Sequence, residues 1–305
     1  MKSPLWSIVL AAGSGRRLAS LTGGTPKQFW RPAGGASLVE ETLARLAPIC
    51  PAQRTVTVVA ETHREYVNLW MPARRRGRVA FQPEDRGTAA GVLFGLLPVL
   101  TTEPHAVVLV TPSDHGVANP DAFRRGILDA VAHVKIHDDI VLFGVESSTA
   151  QTDYGWITLD QSNVSTGVRR VISFVEKPPA DTAGRLLSSG AVWNTMVIVA
   201  RARALFDLCR KHLPDLTAVF VGALTLPQPT REAFLVARYP RLTAADFSRD
   251  VLTPADKLLA YIWPASIGWS DLGTPERLRD WLRKRPRVKH APARAERLDA
   301  AAATI

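Results

Sequence analysis

Two glycines and a set of cations near the amino end make the strongest chemical signal in this chain of 305 residues. The apolar run Ile8-Val9-Leu10-Ala11-Ala12 leads into Gly13-Ser14-Gly15-Arg16-Arg17-Leu18, and Pro26-Lys27-Gln28 follows. Glycines let backbone N–H groups approach phosphate oxygens, while Arg and Lys neutralise the charge. The run is not a Walker loop, because no Gly-Lys-Ser/Thr follows. Nor is it the dinucleotide fingerprint, because Leu18 stands at the third glycine position. A cradle for a nucleoside triphosphate of another kind remains, beside the plain alternative of a strand-to-helix turn with solvated arginines.

Further along, carboxylates sit where apolar strands end. Asp114 closes Thr111-Pro112-Ser113-Asp114 after Val107–Val110, and Asp271 lies between Trp269 and Gly273 after another apolar run. Two carboxylates from distant strand ends, completed by substrate phosphates and water, suit Mg²⁺ better than a closed protein cage. A lone Asp114 would read as a helix cap or loop residue. Glu176-Lys177-Pro178 ends Val171–Val175: Glu accepts hydrogen bonds from sugar hydroxyls, and Lys meets a phosphate as a point charge. Gln82-Pro83-Glu84-Asp85-Arg86-Gly87-Thr88 places an amide and a glycine where a base edge is readable, with Thr88 also a helix cap. His115 suits a supporting role better than catalysis, and Trp6, Trp30, Trp70 and Trp281 suit core packing.

The elements that must position these residues follow from periodicity. Strands are expected at Ser7–Ala11, Thr55–Ala60, Val79–Gln82, Ala106–Thr111 and Ile140–Val145. Helices are expected at Leu38–Leu46, Thr62–Trp70, Thr88–Leu97 and Pro120–Val134, with a Ser37/Glu40 capping box and an Asn119-Pro120 start. Alternation at this spacing implies an α/β fold whose parallel strands are covered on both faces, with ligands at their carboxyl ends. From Tyr154 the pattern changes. Strands Tyr154–Leu159 and Val168–Glu176 flank a polar turn, Gln161-Ser162-Asn163. Then come a strand at Met196–Ala200, a helix-rich stretch from Ala204 to Arg238, a strand at Leu258–Trp263 and a closing helix from Thr274-Pro275-Glu276. Residues after about 284 are basic and Ala-rich, and read as a mobile tail.

Composition narrows the function classes. An apolar share of 46% with 22% charged residues is that of a soluble globular protein. The early apolar run is too short to span a bilayer and lacks a signal cleavage site. Cys50 and Cys209 have no metal-ligand spacing and make no disulfide framework, so a reduced, cytoplasmic protein is expected. The net charge of +10 raises nucleic acid as a partner. However, the runs Arg74-Arg75-Arg76-Gly77-Arg78 and Arg283–Lys289 interleave no aromatics, and solvated faces account for them. Neither nucleic acid nor membrane is expected as a partner, while a homodimer stays open.

Taken together, these stretches resemble the sugar-1-phosphate nucleotidyltransferase family, and within it the mannose-1-phosphate guanylyltransferases. The matching motifs are Leu10–Leu18, Pro26-Lys27-Gln28-Phe29, Gln82–Ala89, Pro112-Ser113-Asp114-His115, Tyr154-Gly155-Trp156-Ile157, Phe174–Pro178, Trp193-Asn194 and Trp269–Gly273. They occur in the family's order from residue 6 to about 280. The resemblance implies a Rossmann-like, mixed, mainly parallel sheet with helices on both faces. It also implies one nucleotidyltransferase domain over 1–283, with a nucleotide half to about 145 and a sugar half from about 146, followed by the tail 284–305. Leu10, Ala11, Ala12, Gly13 and Gly15 would then line the nucleotide, with Gln82, Gly87 and Thr88 at the base. Arg17 and Lys27 would grip the triphosphate, Asp114 and Asp271 would hold Mg²⁺, Gly155, Glu176 and Asn194 would face the sugar, and Lys177 its phosphate.

The implied reaction joins GTP to mannose 1-phosphate. Open alternatives are a dTTP, UTP or CTP enzyme for a glucose-type sugar, or a non-catalytic sugar-nucleotide binder. Departures from the family pattern are Ala12 and Met196, each where glycine is common, Asp153 where a glycine precedes the Tyr-Gly pair, and Ala255 where a glutamate is expected. No β-helix and no isomerase activity are expected of these residues.

Overall fold

In a computed structural model, residues 4–71, 76–161 and 167–284 are described. Arg74, Arg75, Ser162, Asn163 and the tail from residue 285 lie outside them.

One sheet of nine strands organises the chain. Its members are β1 (Leu5–Ala11), β2 (Thr55–Ala60), β3 (Arg78–Gln82), β4 (Val107–Pro112), β6 (Ile140–Val145), β7 (Gly155–Leu159), β8 (Val168–Glu176), β9 (Val192–Arg201) and β10 (Leu258–Trp263). They lie in the order β3-β2-β1-β4-β9-β6-β10-β8-β7. β3, β2, β1 and β4 run parallel, β9 and β8 run against them, and β6, β10 and β7 restore the first direction. The expected mixed, mainly parallel sheet is present.

Burial explains why the early strands read as continuous apolar runs. Trp6, Ile8, Val56, Val58, Val108 and Val110 enter one core with helices Gly87–Thr102, Ala202–His212 and Pro214–Leu224. The intervening Val9, Ala11, Val59, Val107 and Leu109 enter a second core with helices Leu38–Leu46 and Pro120–Ile136. A strand buried on both faces has no polar alternation to show.

The Ser37/Glu40 capping box forms, and the Asn119 side chain accepts from the backbone N–H of Ala122. Four expectations shift. The Thr62–Trp70 helix opens as a 3₁₀ turn, Glu61–His63, before α-helix Arg64–Trp70. The Thr88–Leu97 helix runs over Gly87–Thr102, and the Ala204–Arg238 stretch divides into three helices ending at Arg238. β9 starts at Val192, because Asn194 and Thr195 are buried within the sheet although their polarity reads as loop.

A two-stranded ribbon matters more for function. β5 (Gly116–Val117) pairs antiparallel with β11 (Trp269–Ser270), so the segment after Asp114 lies beside the segment before Asp271.

Candidate active site

The glycine loop is held from beneath by Gln28. Its buried amide donates to the carbonyls of Ala11 at 2.8 Å and Gly13 at 2.9 Å, and faces His63 Nδ1 at 3.3 Å. Two carbonyl acceptors fix which end of the amide is the NH₂ and engage both its hydrogens, so His63 Nδ1 can only share one of them as an acceptor. Burial lowers the His63 pKa, keeping the ring neutral. In the unfolded chain the ring takes up a proton near its ordinary 6.5. Stability is therefore fully present above that pH and is lost as pH falls below it. Urea unfolding of wild type should show a larger loss between pH 7 and pH 5 than unfolding of His63→Gln. Equal losses would remove His63 from the account.

Gly15 has φ +63°, and a Cβ there would sit 2.7 Å from the Lys27 backbone nitrogen. Only glycine lets the loop press against the Lys27 turn. Gly15→Ala is expected to cost about 1–3 kcal/mol in urea unfolding, from backbone strain plus the clash.

Lys27 joins the two carboxylate segments. Its buried ammonium lies 3.0 Å from Asp114 Oδ2 and donates to the backbone carbonyl of Asp271. Burial works to raise the Asp114 pKa, but the Lys27 charge, helped by His115, holds the carboxyl below its usual range. The Asp271 carboxylate accepts from Tyr154 Oη at 2.9 Å, the Gly273 N–H at 3.1 Å and Arg277 at 3.2 and 3.3 Å. Burial and the Asp271 charge both push the Tyr154 hydroxyl pKa upward, so it remains a donor. His115 Nδ1 accepts from Trp269 Nε1 at 3.3 Å, and burial lowers its pKa to about 4.

A cleft of about 540 Å³ opens beside this pair. Leu10, Ala12, Gly13, Gln82, Gly87, Thr88 and Asp114 all line it. Gly87 has φ +79°, and a Cβ would meet the Ala245 carbonyl at 2.3 Å. Thr88 does not cap its helix as expected. Arg86 holds the cap position, and the Thr88 hydroxyl instead accepts from the Phe247 N–H at 2.7 Å. That contact ties the Gln82–Thr88 loop to the π-helical turn Ser248–Leu252, whose Arg249 and Asp250 also line the cleft.

The sugar-side candidates meet one another. β7 pairs Gly155 with Glu176, and a Cβ on Gly155 would lie 2.7 Å from Glu176 Oε2 and 3.3 Å from Asn194 Cβ. Burial raises the Glu176 pKa. Lys177 has φ +48°, and its ammonium lies 3.3 Å from Glu176 Oε1. Its backbone N–H donates to the Tyr154 carbonyl at 3.1 Å, linking this cluster to the Tyr154–Asp271 pair. Met196 has φ +58°, which accounts for glycine being favoured there, and its side chain lines the cleft.

Arg17 is the candidate least drawn in. It is exposed, and like Ala11, Gly15, Lys27, Gly155, Glu176, Lys177, Asn194 and Asp271 it does not line the cleft, although its charge acts on Asp153. Sequence reasoning missed Arg277, whose guanidinium bridges Asp153 and Asp271. The unexplained Asp153 is half of that ion pair. An acidic residue at a glycine position was the only signal available.

A model of the nucleotidyl transferase family matches residues 6–286. The chain belongs to this family. Among curated relatives, the mannose-1-phosphate guanylyltransferase of Escherichia coli K12 is 28% identical over 284 residues, covering 90% of this chain and 59% of the relative. The alginate biosynthesis protein AlgA of Pseudomonas fluorescens is 30% identical over 272 residues, covering 87% and 56%. The chain thus spans little more than half the length of these relatives. A Thermus thermophilus structure described as mannose-1-phosphate geranyltransferase superposes with TM-score 0.81 at 27% identity, covering 92% of this chain and 80% of that one. A glucose-1-phosphate thymidylyltransferase structure from Bacillus anthracis, at 15% identity and TM-score 0.57, shares the fold. No described helix is long and apolar enough to cross a membrane.

Proposed function

We propose that this protein transfers a nucleotidyl group from a nucleoside triphosphate to a sugar 1-phosphate, releasing pyrophosphate, with GTP and mannose 1-phosphate as substrates. One observation carries the reading: Lys27 touches both the Asp114 carboxylate and the Asp271 main chain, and Asp114 lines a cleft together with Leu10, Ala12 and Gly13 of the glycine loop. The mannose and guanine choice takes its support from the relatives' names.

A sugar phosphate is largely ionised at neutral pH, so its oxygen needs no strong base. The difficulty is bringing two polyanions together and stabilising charge on the leaving group. The phosphate oxygen attacks the α-phosphorus in line; the new P–O bond forms as the bond to the β-phosphate oxygen breaks, and pyrophosphate leaves with the electron pair. Lys177 positions the attacking phosphate beside Glu176, Gly155 and Asn194, which receive the sugar. Lys27 and Arg17 neutralise the triphosphate. Gln82, Gly87 and Thr88 receive the base, Leu10, Ala12 and Gly13 form the floor, and Ala11 and Gly15 support it from behind.

The donor set also fits Mg²⁺. Asp114 and Asp271 would offer hard oxygen ligands from two segments that Lys27 links through the Asp114 carboxylate and the Asp271 main chain, and Mg²⁺ commonly takes one or two carboxylates and completes its shell with water and phosphate. When bound, it would polarise phosphate oxygens and offset developing charge. On this reading the nucleotide half ends near residue 145 and the sugar half occupies 146–283. The partners are then small molecules, and the compartment is the cytoplasm.

A panel of four triphosphates against mannose and glucose 1-phosphates, scored by pyrophosphate release, tests the substrates. Release only with GTP and mannose 1-phosphate is expected. Release with another pair would move the assignment within the family. Tight sugar-nucleotide binding without release would make the chain a binder.

A further inference from the structure

We propose that Arg277 competes with a divalent cation for the Asp271 carboxylate, and that Asp153 restrains this competition by holding the same guanidinium. The inference rests on the reading of Asp271 as a metal ligand.

Arg277 Nη1 lies 3.3 and 3.2 Å from the two Asp271 carboxylate oxygens. The opposing contacts are shorter: Nη1 and Nη2 each lie 2.8 Å from an oxygen of Asp153. Nη2 also donates to the Gln151 side-chain carbonyl, and the guanidinium stacks 4.4 Å from the Tyr154 ring centroid. The Arg277 side chain is only 18% exposed and that of Asp271 16%, so water screens this pairing weakly. A cation seated across both oxygens repels a second one.

The contest is unequal in a defined direction. Bidentate carboxylate contacts at 2.8 Å are stronger than contacts at 3.2–3.3 Å, so Asp153 draws the guanidinium partly off Asp271. Asp271 does not need Arg277 for its orientation, because Tyr154 and the Gly273 N–H both donate to Oδ1. Removing Arg277 therefore frees a carboxylate that stays aimed. Removing Asp153 lets the guanidinium settle wholly on Asp271. Metal affinity should move in opposite directions in the two cases.

Mn²⁺ serves as the probe, with free ion counted by electron paramagnetic resonance against the 305-residue chain without nucleotide. Arg277→Gln is expected to tighten Mn²⁺ binding about tenfold, the scale of one poorly screened charge contact. Asp153→Ala should weaken it severalfold. On an Asp271→Asn background the gain from Arg277→Gln should vanish. If Arg277→Gln does not fold, Arg277→Met, which keeps an apolar stem and removes the charge, should still give the gain.

Unchanged or weaker Mn²⁺ binding by a folded Arg277 variant would overturn the proposal. So would a gain that survives Asp271→Asn, or shifts of the same sign at Arg277 and Asp153, which would make Arg277 a structural strut. This measurement needs no turnover. A chain that transfers no nucleotidyl group would sink the functional reading while leaving the metal contest decided separately.

Discussion

Lys27→Met is expected to lower kcat/KM by about 10²–10³-fold, the usual cost of deleting one charge-stabilising group from a transition state. Methionine keeps the apolar stem that packs beneath the loop and deletes only the ammonium. Three consequences converge on the site. A cation facing the triphosphate is lost, Asp114 loses its nearest positive partner, and the Asp271 carbonyl loses a donor. The first acts on the reaction; the other two loosen the mouth of the cleft. Steady-state kinetics with the confirmed substrate pair separates them, because a purely structural lysine would lower the melting temperature and leave turnover within tenfold of wild type. Rescue by Lys27→Arg should be incomplete: the planar guanidinium is larger than an ammonium that is only 8% exposed.

Much of this arrangement was legible in the sequence, and the limits have physical causes. β2 and β6 begin and end where their apolar runs place them, since strands covered on both faces are marked by composition, and the partly exposed β8 and β10 also keep their expected bounds. The ribbon of β5 and β11 was not legible. Two-residue strands have no period, yet that ribbon brings the neighbours of Asp114 and Asp271 together. Side-chain roles divide similarly. Gly15 and Gly87 announced themselves because only glycine takes their backbone conformation at such close approach. Gln28 serving His63, Thr88 serving Phe247 and Arg277 serving Asp153 are tertiary meetings between loops and helix ends. No local pattern encodes them. Met196 lies between these cases: its departure from glycine was visible, and its positive φ explains why glycine is favoured there.

Asp114→Leu is expected to match the Lys27 variant in lost activity, about 10²–10³-fold, and pairing the two changes isolates chemistry from packing. Each single change leaves one member of the ion pair without its partner. The cost should be about 2–3 kcal/mol in urea unfolding, below the 3–5 typical of fully buried pairs, because the Asp114 side chain is 30% exposed. The double variant, Lys27→Met with Asp114→Leu, replaces the pair by two apolar side chains. Such replacements are often neutral. Stability should therefore return to within about 1 kcal/mol of wild type, with a coupling term of opposite sign to the single losses. Activity should not return, because neither the ammonium nor the carboxylate is restored to the phosphates. That divergence decides the role of the pair. Recovery of both stability and turnover would show that Lys27 and Asp114 only hold the loop in place. Recovery of neither would mean that the apolar pair fails to pack beneath Ser113 and the Asp271 main chain.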